Sequence, residues 1–370
     1  MTLDAAAPAR TTGTVRVVGT GLLGTSAALA LTMRHVDVVL ADPSPTAVAL
    51  ARDLGAGRFA GADDDPALVL VACPPDVVAD VVADELQRFP AAVVTDVASV
   101  KGGPLAALSA RGADLTRYVG SHPMAGRERS GAIAARTDLF AGRPWVIATN
   151  DVARPSALQA VRDLAADCGG VPVTMPAQEH DEAVALVSHA PQVAASLVAA
   201  RLREAAEPAV GLAGQGLRDV TRIAGSDPAL WSQILAGNAA PVADVLDALR
   251  TDLEEVITAL RALAEDPVAP GARARLARVI ADGGAGRDRI PGKHGSAPTR
   301  YRTVVVVVPD RPGALGRLLT DVGEAGVNLE DLRLEHSEGQ AVALASIDVV
   351  PASAEPLVDA LRGRGWTVPR

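Results

Sequence analysis

The stretch Val15-Arg16-Val17-Val18-Gly19-Thr20-Gly21-Leu22-Leu23-Gly24 constrains this chain more than any other part of it. A short apolar run leads into three glycines spaced G-x-G-x-x-G, and an apolar helical run follows at once. The glycine spacing alone is weak. Between a strand and a helix, with the acidic Asp42 closing the next apolar run, it reads as a dinucleotide-binding turn. Gly19 would permit the tight turn, Gly21 the approach of a pyrophosphate, and Gly24 close contact between helix and strand. Thr20, Leu22 and Leu23 complete the turn, whose free N–H groups would hold the anion. Asp42 would accept hydrogen bonds from the ribose hydroxyls and repel a 2′-phosphate. Pro43-Ser44 supplies no arginine to receive such a phosphate, so NAD is expected rather than NADP.

The same texture continues down the chain. Apolar runs "VDVVLAD", "ALVLVACPP" and "AAVVTDVASVKGG" alternate with the helical segments "PTAVALARDLG" and "DVVADVVADELQRF". Near-continuous apolar strands between helices predict a Rossmann-type, doubly wound parallel sheet covered on both faces, the α/β class. "YVGSHP", "PWVIAT" and "VPVTMP" add strands, the last two around a helix from about Arg154 to Cys168, and this first domain is expected over 14–177. Beyond it, apolar residues recur at three- and four-residue spacing, as in "PVADVLDALRTDLEEVITALRAL", which predicts an all-α domain over 178–281. The Gly/Arg/Pro-rich stretch 282–300 has no apolar period and reads as a linker. Residues 301–370 follow the order βαββαβ of a ferredoxin-like sandwich.

A length of 370 residues suits two or three domains. Lys+Arg 35 against Asp+Glu 44 gives a net charge of −9, which argues against a nucleic-acid surface but not against small anions held by a few arginines. Cys73 and Cys168 lie far apart, so neither a disulfide framework nor a thiolate metal site is expected. The start "MTLDAAAPARTTG" lacks a signal pattern. No uninterrupted apolar run reaches the roughly 18 residues of a spanning helix, since Ser188, His189, Pro191 and Gln192 interrupt the segment from Ala183 to Ala200. A cytoplasmic chain, free of membrane, is expected.

"SHPMAGRERSG", residues 121–131, sets an imidazole, a carboxylate and two guanidiniums among glycines after the fifth strand. Loops at the carboxyl ends of such strands border the cofactor crevice, so His122 is expected there, with Ser99 and Lys101 of "TDVASVKG" on the same border. An imidazole suits a proton acceptor working near neutral pH. Ser99 could equally be the N-cap of the helix after it. Arg218 and Arg222, four apart in "LRDVTR", share a helical face and suit carboxylates, with Asp219 placed to orient one of them.

Taken in order, "GTGLLG", "DVASVKG", "SHPMAGRE", "VSHAP" and "GLRDVTRIAGSDPALW" resemble the prephenate/arogenate dehydrogenases over about residues 14 to 290. "VPDRPGALGRLL" is similar to the ACT domains that bind regulatory amino acids, and "RIPGKHG" resembles the linker between the two. The resemblance implies NAD-dependent oxidative decarboxylation of prephenate to 4-hydroxyphenylpyruvate in tyrosine biosynthesis. Arogenate or 4-amino-4-deoxyprephenate are the alternative substrates. It implies that His122 takes the proton of the C4 hydroxyl as hydride passes to NAD, with Ser99 holding imidazole or hydroxyl in register. Arg222 and Arg218, helped by Asp219, would bind carboxylates, one arginine reaching in from the other subunit of a homodimer formed by the helical domain. Ser188 and His189 would contact substrate, and Glu128 would gate the pocket.

Gln192 stands where many relatives carry a second histidine, which leaves the choice between keto-acid and amino-acid side chains open. His189 fits a satisfied core histidine as well as a substrate contact. His180, His294 and His336 carry no role on this view. Asp310, Pro312, Gly313, Ala314 and Leu315 would form a tyrosine effector site, unless the tail is only a dimerisation module. Two competing classes remain. A β-hydroxyacid dehydrogenase would usually place a catalytic lysine in the helical region, but no lysine occurs between Pro176 and Pro291. A non-enzymatic amino-acid sensor using NAD would not need His122.

Overall fold

The computed structural model describes residues 8–126, 131–291, 301–336 and 341–369, and the chain divides into two units, Met1–Arg250 and Thr251–Arg370. The first begins β1 (Val15–Val18), α1 (Leu22–Met33), β2 (Val38–Ala41), α2 (Pro45–Asp53), β3 (Arg58–Phe59), β4 (Leu68–Val71), α3 (Val78–Arg88), β5 (Val93–Asp96), α4 (Gly102–Ala110). These strands form a parallel sheet in the order β3-β2-β1-β4-β5. Sequence-adjacent strands diverge between β1 and β4, the place where a doubly wound sheet opens its crevice. Alternation along each strand supplies both faces. Leu68 and Leu70 join Val15, Val17, Leu31 and Leu164 in one core, while Val69 and Val71 join Val78, Val82 and Leu108 in the other.

Beyond β5 the chain forms β6 (Gly120–Pro123), β7 (Pro144–Thr149), α5 (Pro155–Asp167) and β8 (Val171–Pro176). A parallel bridge from Val94 to Tyr118 sets β6 beside β5, and β7 and β8 pair in parallel. One expectation needs correction: β7 runs antiparallel to β6. A parallel pair needs a crossover, usually helical, and among the described residues between these two strands the helical structure is a short turn of 3-10 helix at Ala132–Ala134. An apolar run says that a strand is buried, not which way it runs.

The helical part of this unit starts with α6 (Ala177–Val184) and α7 (Ala190–Ala200), joined through a π-helical turn at Ala185–His189. Pro191 explains the turn, because its ring lacks an N–H and clashes with the carbonyl four residues back. Then come α8 (Glu207–Val210), α9 (Gln215–Thr221), α10 (Pro228–Gly237) and α11 (Ala239–Glu265), within which the division between units falls. Contrary to expectation, the continuous helix Ala177–Glu204 is long and apolar enough, by length and composition, to cross a bilayer. It nevertheless carries the buried polar side chains His180, Asp181, His189 and Gln192.

The second unit adds α12 (Ala272–Arg287), β9 (Arg302–Pro309), α13 (Ala314–Glu324), β10 (Asp331–His336), β11 (Val342–Val349) and α14 (Pro351–Gly363). Its antiparallel sheet has the order β10-β11-β9, and Val306, Leu318, Ile347, Leu357 and Leu361 form its core. The expected last strand "WTV" is a single bridge from Thr367 to Val307. The expected linker also begins late, since α12 continues through Asp282-Gly283-Gly284 to Arg287. A helix already nucleated loses only about 1 kcal/mol per glycine, which does not stop its propagation.

Candidate active site

The turn after β1 has the geometry its glycines require. Gly19 adopts φ +99°, and a Cβ there would stand 2.5 Å from the Ala72 carbonyl oxygen. A Cβ on Gly24 would come within 1.9 Å of the Gly19 carbonyl oxygen, so α1 touches the turn backbone to backbone. Gly21 differs: nothing lies within 4 Å of its Cβ position. It caps α1 without a side-chain hydrogen bond, and the first turn holds no acidic residue. The free N–H groups and the open space above Gly21 fit a pyrophosphate. Asp42 reaches back to this turn. Its Oδ2 accepts from the Thr20 N–H at 2.8 Å and the Thr20 hydroxyl at 3.1 Å, and its Oδ1 accepts from the Ser44 N–H at 2.9 Å. A carboxylate has about four acceptor positions, so room for a ribose hydroxyl remains but is reduced. Leu22 and Leu23 belong to α1.

His122 lies at the carboxyl end of β6, only 9% exposed. Its Nδ1 meets His180 Nε2 at 2.9 Å. His180 Nδ1 meets Asp181 Oδ1 at 2.8 Å. Asp181 in turn caps α4 from a distance, Oδ1 accepting the Lys101 N–H at 2.9 Å and Oδ2 the Gly102 N–H at 2.8 Å. Burial opposes ionisation of Asp181, but the hydrogen bonds from His180, Gly102 and Lys101 together hold its carboxyl below the ordinary value. On the other side, the 1% exposed Lys101 ammonium binds the Asp96 carboxylate and the Ser121 carbonyl oxygen, the latter at 2.7 Å. Tyr118 donates its hydroxyl to Asp96 Oδ2 at 2.7 Å. Lys101 is thus a buried support for β6 rather than part of the crevice border. Burial, followed by the charges of His180, Lys101 and His189, holds the His122 imidazole well below its ordinary pKa, which leaves it neutral at neutral pH. Its Nε2 has no hydrogen-bond partner among the described residues.

The other candidates divide. Ser99 is half-buried between β5 and α4 and is not a cap, since Asp181 does that work. Ser188 is half-buried on the π turn. His189 is buried, and its Nδ1 accepts from the Asn238 amide at 3.1 Å, while the other Asn238 N–H goes to the Asp181 carbonyl oxygen at 2.8 Å. His189 is therefore a satisfied buried histidine at Nδ1. Gln192 is buried too: its Nε2 donates to the Ile223 carbonyl oxygen at 3.0 Å, and its Oε1 accepts from Ser226 at 3.4 Å. Arg218 and Arg222 are exposed, with no ion-pair partner among the described residues. Asp219 does not orient either arginine; its Oδ1 accepts from Gln215 Nε2 at 2.7 Å. Glu128 and His294 lie outside the described residues. His180, expected to be incidental, is the direct partner of His122. The available signal was a His-Asp pair in the polar first turns of a long, mostly apolar helix.

In the second unit a cavity of about 740 Å³ is lined by Pro312, Gly313 and Ala314 together with Arg311, Arg317 and Trp366. Arg317 stacks over the Trp366 ring at 4.9 Å. Asp310 and Leu315 do not line it. The Leu315 side chain packs on the core instead, as the first turn of an amphipathic helix requires.

The buried histidines carry a pH consequence. Burial, the largest influence, lowers His189 to about 4 from an ordinary 6.5, and His122 moves the same way. The unfolded chain then binds these protons at higher pH than the folded one, so stability falls as pH drops from about 6.5 toward 4. Asp181 acts only below that window. We expect His189→Asn to flatten the fall of the urea midpoint across this range; a slope equal to that of the parent would contradict it.

A fold of this kind, with a glycine turn after β1 and a buried neutral imidazole near the carboxyl end of β6, defines a dinucleotide-linked dehydrogenase. Residues 27–174 match the family model "Prephenate dehydrogenase, nucleotide-binding domain", and residues 176–273 match "Prephenate dehydrogenase, dimerization domain". The chain is 40% identical over 356 residues to the "Probable prephenate dehydrogenase NovF" of Streptomyces niveus, covering 95% of this chain and 98% of that protein. It is 28% identical to the prephenate dehydrogenase of Bacillus subtilis (strain 168), over 87% of this chain and 88% of the relative. The crystal structure of prephenate dehydrogenase from A. aeolicus in complex with hydroxyphenyl propionate and NAD+ matches with a TM-score of 0.66 at 26% identity, over 76% of this chain and 99% of that one. The chain belongs to the prephenate dehydrogenase family, whose members are NAD-dependent oxidoreductases.

Proposed function

We propose that the chain oxidises and decarboxylates prephenate, giving 4-hydroxyphenylpyruvate for tyrosine synthesis, and that His122 is its base. One observation carries the assignment: His122 stands at the carboxyl edge of the sheet with Nδ1 held by His180 and Nε2 unpartnered among the described residues. The turn of Gly19, Gly21 and Gly24, with Asp42, would hold NAD, which supplies the hydride acceptor when bound. His122 Nε2 accepts the proton of the substrate's C4 hydroxyl, and Ser99 keeps that hydroxyl in register. Arg222 and Arg218 bind the two carboxylates, because a guanidinium pairs with a carboxylate through two parallel bonds and keeps its charge. Ser188 and the Nε2 edge of His189 border the substrate, and Glu128 gates its entry.

We also assign domains at 14–177, 178–281 and 301–370. The helical domain pairs two copies into a homodimer. This is supported by the family model matched there and by Leu186, Val187 and Leu197 on the long helix, each at least 60% exposed. Such an apolar face suits burial against another chain rather than lipid, and the protein is placed in the cytoplasm. The tail is an ACT domain with ferredoxin-like topology, supported by its β-α-β-β-α order and the Arg317–Trp366 cavity, which suits tyrosine. Arogenate is the second reading. It is favoured by Gln192, a neutral amide bonded to Ile223 and Ser226 where a histidine could have offered a cation to a keto-acid side chain.

The test mixes protein and NAD with prephenate, arogenate or 4-amino-4-deoxyprephenate, each with and without tyrosine, and follows NADH. NADH should form fastest with prephenate and more slowly when tyrosine is added. No NADH from any of the three sinks the assignment.

A further inference from the structure

The chain His122–His180–Asp181 can be protonated in only a few ways, and they differ in what His122 can do. The Asp181 carboxylate accepts two backbone N–H groups at the start of α4, so it is an anion and an acceptor toward His180. His180 Nδ1 must therefore carry the proton in their 2.8 Å bond. If His180 is neutral, its Nε2 is a bare lone pair, and the 2.9 Å bond to His122 requires a proton on His122 Nδ1. A neutral His122 then has its lone pair at Nε2. The alternative is a charged His180 donating to His122 Nδ1, which would put the His122 proton on Nε2 and make it a donor. Two observations oppose it. His180 is fully buried, and the Asp181 carboxylate that would have to balance its charge is already shared with the amides of Lys101 and Gly102, so a buried imidazolium there is disfavoured.

We propose that His180, held by Asp181, is a positioning residue that fixes the tautomer of His122 so that Nε2 is the nitrogen able to receive the substrate proton. The inference rests on His122 being the base. When Nε2 takes the proton, the substrate O–H bond breaks and an Nε2–H bond forms. The resulting imidazolium keeps donating from Nδ1 to His180. Asp181 stays ionised, because Lys101 and Gly102 still donate to it.

The experiment uses the full chain with 15N-labelled histidine and reads tautomers from nitrogen chemical shifts near neutral pH, His122→Asn assigning the His122 signals. The parent should show His122 protonated at Nδ1 and bare at Nε2; a parent spectrum with the proton on Nε2 overturns the proposal before any variant is made. In His180→Leu the constraint is gone, and His122 should revert to the Nε2–H form that free imidazole side chains favour. Turnover should then fall roughly tenfold or more, as loss of a tautomer-fixing partner does elsewhere, while the Kd for NAD holds. His180→Gln can present its amide oxygen where Nε2 was, and should recover a large part of both turnover and the Nδ1–H signature. An unchanged turnover in His180→Leu, or a Gln variant no better than Leu, overturns the inference. If His122→Asn itself turns over normally, the base assignment has failed; if only the His180 variants do, the relay alone has failed.

Discussion

His122→Asn lowers kcat by about 10²–10⁴-fold, the contribution of one positioned general base, equivalent to roughly 3–5 kcal/mol of barrier. The Kd for NAD stays within about twofold, because the glycine turn and Asp42 are untouched. Asn is the suitable replacement. Its side chain can still meet His180 from a position near Nδ1, so the buried bond at 2.9 Å is not left wholly unmade. Only the acceptor at the Nε2 position is lost. Steady-state kinetics and NAD titration on the same preparation decide the matter. Turnover within threefold of the parent would show that the proton leaves by another route.

Gly24→Ala should damage both fold and cofactor binding, whereas Gly21→Ala should damage binding alone. At Gly24 the added methyl meets the Gly19 carbonyl oxygen at 1.9 Å, and that neighbour is backbone with no rotamer to change. Overpacking of this kind destabilises by about 1–3 kcal/mol or more. In a domain of this size that lowers Tm by roughly 2–12 °C. Forcing α1 off β1 also pulls the free N–H groups away from the anion, so NAD binding weakens at least tenfold. At Gly21 the methyl enters open space, so Tm should hold within about 1–2 °C. The same space is where a pyrophosphate would sit, so NAD affinity should still fall. Differential scanning calorimetry and NAD titration of the two variants test the pair. Equal Tm losses, or a Gly21→Ala enzyme with full NAD affinity, would contradict this account of the turn.

What could be read in advance was whatever chemistry is local in sequence. The G-x-G-x-x-G turn is one strand, one turn and one helix, so its geometry follows from adjacent residues. The position of His122 followed from a glycine-rich loop after a recognisable strand. The partners of His122 were hidden, because His180 is 58 residues away and Asp181 reaches Lys101 across 80. Nothing in the helix "AQEHDEAV" states which strand it will lie beside. The partners of Gln192 and Asp219 were hidden for a related reason. Each has a nearer polar partner, Ser226 with Ile223 for one and Gln215 for the other, that satisfies it without a substrate. The direction of β7 escaped because a parallel and an antiparallel strand bury the same side chains. Leu315 was separable from Gly313 only by helix phase, which turns it into the core.

The Asp181 carboxylate has a mechanical consequence. One side chain at the root of the long helix is fastened simultaneously to the first amides of α4 and, through its neighbour, to the end of β6. Tilting α6 away from the sheet would break all three attachments together and strip two amides of their only acceptor. The root of the long helix, the start of α4 and the end of β6 are thus held as one piece by a single carboxylate.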